Sequence, residues 1–171
     1  VLSVLPFALA AFMTLINPGF ISKLWTDPMG LKMVFAGKIA CSVDGQPIDF
    51  SKTFYYRNCM FSNVPNMAGA FGYLNASWTL RADLICEYVC RLLNHMESIG
   101  AVECTPRLRP EDADMPERAW VEGFTPGYMQ RHMDLMPHQG DRAPWINPQD
   151  YAHDRKLFRK SHVDDGVMQF R

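Results

Sequence analysis

A chain of 171 residues with 48% hydrophobic and 20% charged residues has the composition of a folded domain, which sets aside a disordered or low-complexity segment. The formal net charge of −1, with no basic stripe interleaved with aromatics, leaves no electrostatic footprint for nucleic acid. Five cysteines, Cys41, Cys59, Cys86, Cys90 and Cys104, form an odd set without a Cys-x-x-Cys pair; this argues against a disulfide framework and for a reducing, cytoplasmic setting.

Within the first twenty residues Val1 to Ile16 is nearly all apolar, and no charge precedes Lys23. The run is shorter than the roughly 20 residues of a spanning helix, contains Pro6, and lacks the positive start of a signal peptide. It reads as a buried segment, a membrane-associated one, or an artefactual leader. Loop signals follow at Asn17-Pro18-Gly19 and Asp27-Pro28-Met29-Gly30.

Lys38 to Val43 alternates loosely and meets Asp44-Gly45, a hairpin turn because glycine tolerates a positive φ. The return strand is expected from Pro47 toward Phe50. Thr53 to Arg57 is rich in aromatic and β-branched residues and reads as a further strand. Asn63-Val64-Pro65-Asn66 reads as a turn, and Met67 to Leu74 as the strand after it.

From Trp78 the period changes. Leu80, Leu84, Tyr88, Leu92 and Met96 recur every fourth residue, widened by Ile85, Val89 and Leu93, which predicts a long amphipathic helix. Ser77 is placed to cap its start and Gly100 to stop it. Beyond Glu103 the chain is rich in proline and charge. Thr125 to Leu135 predicts a short helix with Thr125 as cap and Pro126 at the first position. The stretch after Pro144-Trp145 reads as surface wrap or loose end, with Lys156, Arg159 and Lys160 as a solvated cluster.

Few chemical motifs are present. There is no G-x-G-x-x-G, Walker loop, H-E-x-x-H or G-x-S-x-G, and the spacing of Gly69-Ala70-Phe71-Gly72 is wrong for a dinucleotide fingerprint. The histidines, His95, His132, His138, His153 and His162, are scattered, so no metal site is expected. Cys86 and Cys90 lie one helical turn apart with His95 out of phase, and read as small residues packing on the helix. Ser77 has no visible histidine partner. What remains is the joint Asn75-Ala76-Ser77 between strand and helix. A helix start offers unpaired N–H groups and partial positive charge, so an anion or a polarised carbonyl can dock there.

The run from Val64 to Leu84, through Asn75-Ala76-Ser77-Trp78-Thr79-Leu80, resembles the C-terminal part of flavin-dependent monooxygenases of Baeyer–Villiger type, close to the ethionamide-activating group. Ser42-Val43-Asp44-Gly45-Gln46-Pro47-Ile48-Asp49, Phe124-Thr125-Pro126-Gly127-Tyr128, Gln139-Gly140 and Ala143-Pro144-Trp145 are similar to the same proteins. The resemblance covers roughly residues 31–150. It implies that the helix start faces the pyrimidine end of a flavin ring, with Asn75, Ala76, Ser77 and Trp78 as cofactor-binding positions. It also implies FAD and NADPH as cofactors of the complete enzyme. The reaction implied is oxygen insertion into a ketone or oxidation of a sulfur-containing small molecule.

The family's two glycine-rich fingerprints and its Phe-x-Gly-x-x-x-His signature do not occur here. The expectation is therefore a truncated or disrupted piece, inactive alone: residues 1–30 as a leader unlike the family, 31–100 as the C-terminal segment of an FAD-binding domain, and 101–171 as a Pro-rich extension with a short helix. The alternative is a non-catalytic interaction protein or degenerate remnant, membrane-associated through residues 1–20. The expected fold is an incomplete α/β piece: a small, mostly antiparallel sheet, one long helix and an irregular C-terminal tail.

Overall fold

A computed structural model describes residues 8–10, 39–123 and 130–171. It shows a small α/β arrangement in which one sheet packs against a long helix, and the C-terminal third of the chain straps the two together. The strands are β1 (Ala8–Ala10), β2 (Ser42–Val43), β3 (Gln46–Pro47), β4 (Tyr55–Tyr56), β5 (Met60–Phe61), β6 (Met67–Gly69), β7 (Cys104–Pro106) and β8 (Met168–Phe170). Among the described residues the α-helices are α1 (Trp78–Ile99) and α2 (Tyr151–Lys160).

The turn at Asp44-Gly45 forms as expected. β2 and β3 pair antiparallel across it, with φ of 50° at Asp44 and 79° at Gly45, the pair of left-handed residues that a two-residue hairpin needs. The return strand is only Gln46–Pro47, because Asp49 ends it by accepting from the Ser51 N–H and capping a 3-10 turn over Phe50–Lys52. The turn at 63–66 also forms, with Asn63 and Asn66 both at positive φ, a conformation asparagine tolerates. The Asn66 side chain then accepts from the Cys104 N–H at 2.9 Å and donates to the Val102 carbonyl at 3.1 Å, tying the turn to β7.

The central sheet has the order β1-β6-β5-β4, antiparallel except for the β1–β6 pair. Both faces of β4 and β5 are buried, and the period of two sorts their side chains. Tyr56 and Met60 join the core beneath α1 with Leu84, Ile85, Tyr88, Leu92, Trp145 and Phe158. Tyr55 and Phe61 turn to a second core with Phe50, Val64, Trp120, Val121 and Met136, where their rings stack at 5.0 Å.

Helix α1 begins and ends where its sequence predicts, from Trp78 after Ser77 to a left-handed Gly100 with φ of 70°. The Gly100 and Ala101 N–H groups close the last turn on the Glu97 and Met96 carbonyls, as a left-handed C-terminal glycine allows. Its buried face is Leu84, Ile85, Tyr88, Val89, Leu92 and Met96, plus Arg81. Leu93, expected in the apolar stripe, is 39% exposed.

Further expectations need correction. The strand expected from Met67 to Leu74 stops at Gly69; beyond it the Leu74 N–H leaves the sheet and donates to the Gln149 side chain at 2.9 Å. Cys86 and Cys90, expected to pack, are both exposed, because the helix phase that buries Leu84, Ile85 and Tyr88 turns them outward. The stretch after Trp145 does wrap the surface, but in ordered form. Asp150 caps α2 by accepting from the Ala152 and His153 N–H groups, Phe158 anchors it, and β8 pairs with β7. Lys156, Arg159 and Lys160 are exposed on α2. The helix expected over 125–135 lies partly outside the described residues; its described end is a 3-10 turn over Met133–Leu135. Apart from β1, the apolar start also lies outside them. Among the described residues no helix is long and apolar enough to cross a membrane.

Candidate functional site

The joint between β6 and α1 is held in place by a close contact. A β-carbon on Gly72 would lie 2.4 Å from the Trp78 Cγ, so only glycine lets the chain double back against the indole. Trp78 in turn rests on the Phe71 ring at 4.7 Å, and Phe71 meets Trp120 edge-on at 4.5 Å. An aromatic ladder thus runs from the exposed joint down to the buried Trp120.

Asn75, Ala76, Ser77 and Trp78 are contiguous and exposed at the helix start. Ser77 occupies the cap position with extended backbone, but its side chain makes no cap hydrogen bond; its hydroxyl pairs with that of Thr79 at 2.9 Å. The first turn carries no acidic residue. With the Leu80 N–H bonded to the Ser77 carbonyl at 3.3 Å, the 22-residue helix presents the Trp78 and Thr79 N–H groups and an uncompensated positive dipole end to solvent. Asn75 points the other way, its amide donating to the Gln149 carbonyl at 3.2 Å. Of the four positions named from the sequence, the structure brings Ala76, Ser77 and Trp78 to one open surface and commits the Asn75 side chain to the strap.

Behind the joint lies a buried polar network that the sequence reading missed. Arg81, fully buried in the first turn of α1, donates to the Asp154 Oδ2 from Nε at 3.0 Å and from Nη2 at 2.7 Å, and to the Asn147 Oδ1 at 3.2 Å. Its guanidinium sits 4.1 Å from the centre of the Tyr73 ring, and the Tyr73 hydroxyl donates to the same Asp154 oxygen at 2.8 Å. Burial, with the hydrogen bond that the phenol donates to the Asp154 carboxylate, pushes the Tyr73 hydroxyl above its ordinary pKa. Asn147 continues the network by donating to the Trp120 carbonyl at 3.0 Å. The available signal was phase: Arg81 stands one turn before Leu84 and Ile85 in the apolar stripe.

A second network lies across the sheet. Arg57, held at φ of 47°, bonds Asp165 at 2.8 Å, the Ser161 hydroxyl and the His162 carbonyl, under the rings of Tyr56 and Tyr88. Burial works against the charge on Asp165, but the hydrogen bond from the Tyr56 hydroxyl and the Arg57 guanidinium hold its carboxyl below the usual range. Burial pushes the Tyr56 hydroxyl far up.

Elsewhere the reactive groups are dispersed. Burial pushes the Cys59 and Cys104 thiols up to about 12, which leaves them un-ionised. His138 approaches Glu117 at 3.5 Å and His95 packs on Phe170. Among the described residues no group of three His, Cys, Asp or Glu could hold a metal ion. An open groove of about 790 Å³ between α1 and α2 is lined by Leu84, Cys86, Glu87, Cys90, Tyr151 and Arg159. The Glu87–Arg159 ion pair bridges it.

Comparison with known proteins supplies a relationship. Over 141 residues, 82% of its length, the chain is 44% identical to the FAD-containing monooxygenase EthA of Mycobacterium tuberculosis. It is 42% identical to the probable FAD-binding monooxygenase AlmA of Acinetobacter baylyi and 36% identical to the putative FAD-containing monooxygenase MymA of M. tuberculosis, over the same share. The chain spans about 28% of the length of each of these relatives. No protein-family model and no solved structure gives a significant match.

Proposed function

Since the chain is homologous to a segment of FAD-containing monooxygenases, we propose that it forms one wall of the flavin site of such an enzyme. In this reading residues 31–100 are the C-terminal segment of the FAD-binding domain and 101–171 an extension strapped over it. The observation that carries the proposal is the exposed start of α1, without an acid in its first turn or a side-chain cap, inside the homologous segment.

The residues present fit the ring end of the cofactor. The N–H groups of the first turn and the dipole of α1 would hold the negative charge of the pyrimidine end. Trp78, 38% exposed and backed by Phe71, offers an apolar ring at the edge of the same surface. FAD bound there would supply oxygen-activating redox chemistry, with NADPH as hydride donor and a ketone or a sulfur compound as the oxygen acceptor. The chain's own contribution is binding and orientation, with no group placed for proton transfer at the joint.

Titration of the chain with riboflavin and with FAD, followed by backbone amide resonances, tests this. Contacts limited to the ring predict similar, weak affinity for both ligands, shifts centred on residues 75–80, and no NADPH-dependent oxygen uptake. Shifts elsewhere in the chain, or none at saturating flavin, would overturn the assignment.

A further inference from the structure

We propose that Gln149 is a positioning residue for the start of α1, with the Arg81–Asp154 pair as its base, so that the C-terminal strap sets the geometry of the proposed flavin-facing surface. The functional consequence rests on the preceding reading; the positioning itself does not.

Gln149 grips the joint from three directions. Its Oε1 accepts from the Leu74 N–H at 2.9 Å, its backbone carbonyl accepts from the Asn75 amide at 3.2 Å, and its Nε2 donates to the Asn147 Oδ1 at 3.0 Å. It does so from φ of 53°, in the left-handed region, which costs glutamine more than the glycine or asparagine that commonly occupy it, so its surroundings must hold it there. The Asn147 oxygen also accepts from the Arg81 Nη2. One network therefore holds Leu74 and Asn75 before the joint and Arg81 after it. The exposed residues 76–78 are suspended between these two anchors.

The chemistry of the base favours positioning over stability. Taking an Arg–Asp pair out of water is rarely repaid unless every donor and acceptor is satisfied. Here the Arg81 Nη1 and the Asp154 Oδ1 are buried without partners. Two guanidinium N–H groups nevertheless converge on one oxygen, Asp154 Oδ2, and the Tyr73 hydroxyl reaches it from a third direction, tying the start of α1 to the strap.

Amide hydrogen exchange on the full chain, wild type against Gln149→Ala, reads the positioning directly. We expect Leu74 exchange to accelerate at least tenfold and the Trp78 and Thr79 resonances to shift, while amides of residues 85–95 keep their protection. Gln149→Gly, which accepts the positive φ, should behave like Ala; Gln149→Glu, which keeps the acceptor for Leu74, should restore protection. Unchanged exchange at Leu74, or uniform acceleration throughout α1, would overturn the proposal. Riboflavin titration then separates the two claims. Loosening of the joint in a chain whose wild type ignores riboflavin removes the flavin reading and keeps the positioning. Equal riboflavin affinity in wild type and Gln149→Ala removes the claim that positioning matters to the ligand.

Discussion

Gly72 and Trp78 meet with no room for a side chain between them: a β-carbon on Gly72 would fall 2.4 Å from the indole Cγ and 2.6 Å from the Trp78 Cα. Rotating the indole relieves the first clash but not the second, so Gly72→Ala must move the backbone at the start of α1. A loss of about 1–3 kcal/mol in urea unfolding is expected, as for overpacking elsewhere. Near-ultraviolet circular dichroism should change, because the Trp78–Phe71–Trp120 ladder is displaced.

Ser77 stands at the cap position without using its side chain as a cap. Substituting a serine that does cap costs roughly 1 kcal/mol. Ser77→Ala is therefore expected to leave the denaturation midpoint nearly unchanged. A loss of the full capping value would show that the hydroxyl reaches the helix N–H groups in solution.

Asp165 ties stability to acid. Although burial opposes its charge, the Tyr56 hydroxyl and Arg57 hold its folded carboxyl below the unfolded value. Between the two values the unfolded chain binds the proton and the folded chain does not. The contribution of Asp165 is thus complete above the ordinary carboxylate range and is lost as pH falls through the depressed folded value. Urea midpoints from pH 7 to pH 3 should fall in the wild type and fall less steeply in Asp165→Asn.

The Arg81–Asp154 pair should show the asymmetry of buried charges. Removing one partner, as in Asp154→Ala, leaves a buried guanidinium and is expected to cost about 3–5 kcal/mol. Replacing both by apolar residues, Arg81→Met with Asp154→Leu, should recover much of that in a thermal melt. Equal losses in the single and double variants would mean that the pair itself is strongly stabilising.

Thiol chemistry divides the cysteines by burial. Cys86 and Cys90 are exposed, whereas Cys59 and Cys104 are buried with thiols raised to about 12. Maleimide labelling of the native chain followed by peptide mass analysis should modify the first pair quickly. The second pair should react only on unfolding.

The elements legible in the sequence are those specified by neighbours along the chain. Asp44-Gly45 and the Asn63–Asn66 turn required residues that accept a positive φ. The bounds of α1 followed from a four-residue apolar rhythm between Ser77 and Gly100. The relationship to flavin enzymes was legible in the Asn75-to-Leu80 run, and the homologous relatives agree with it. The shortening of β6 was not legible: past Gly69 the chain turns to partners distant in sequence, with the Leu74 N–H bonding Gln149, 75 residues away.

Local sequence thus determined where the backbone turns, where the long helix starts and stops, and which kind of enzyme segment this is, since those depend on φ preferences, periodicity and a contiguous motif. Helix phase put Arg81 on the apolar stripe, but only the tertiary structure decided that it and Arg57 are buried, because a charged side chain reads as exposed until a partner makes its burial tolerable. Those partners, Asp154 and Asp165, lie 73 and 108 residues further on. The strap that carries them turned a stretch read as surface wrap or loose end into the element that holds the joint.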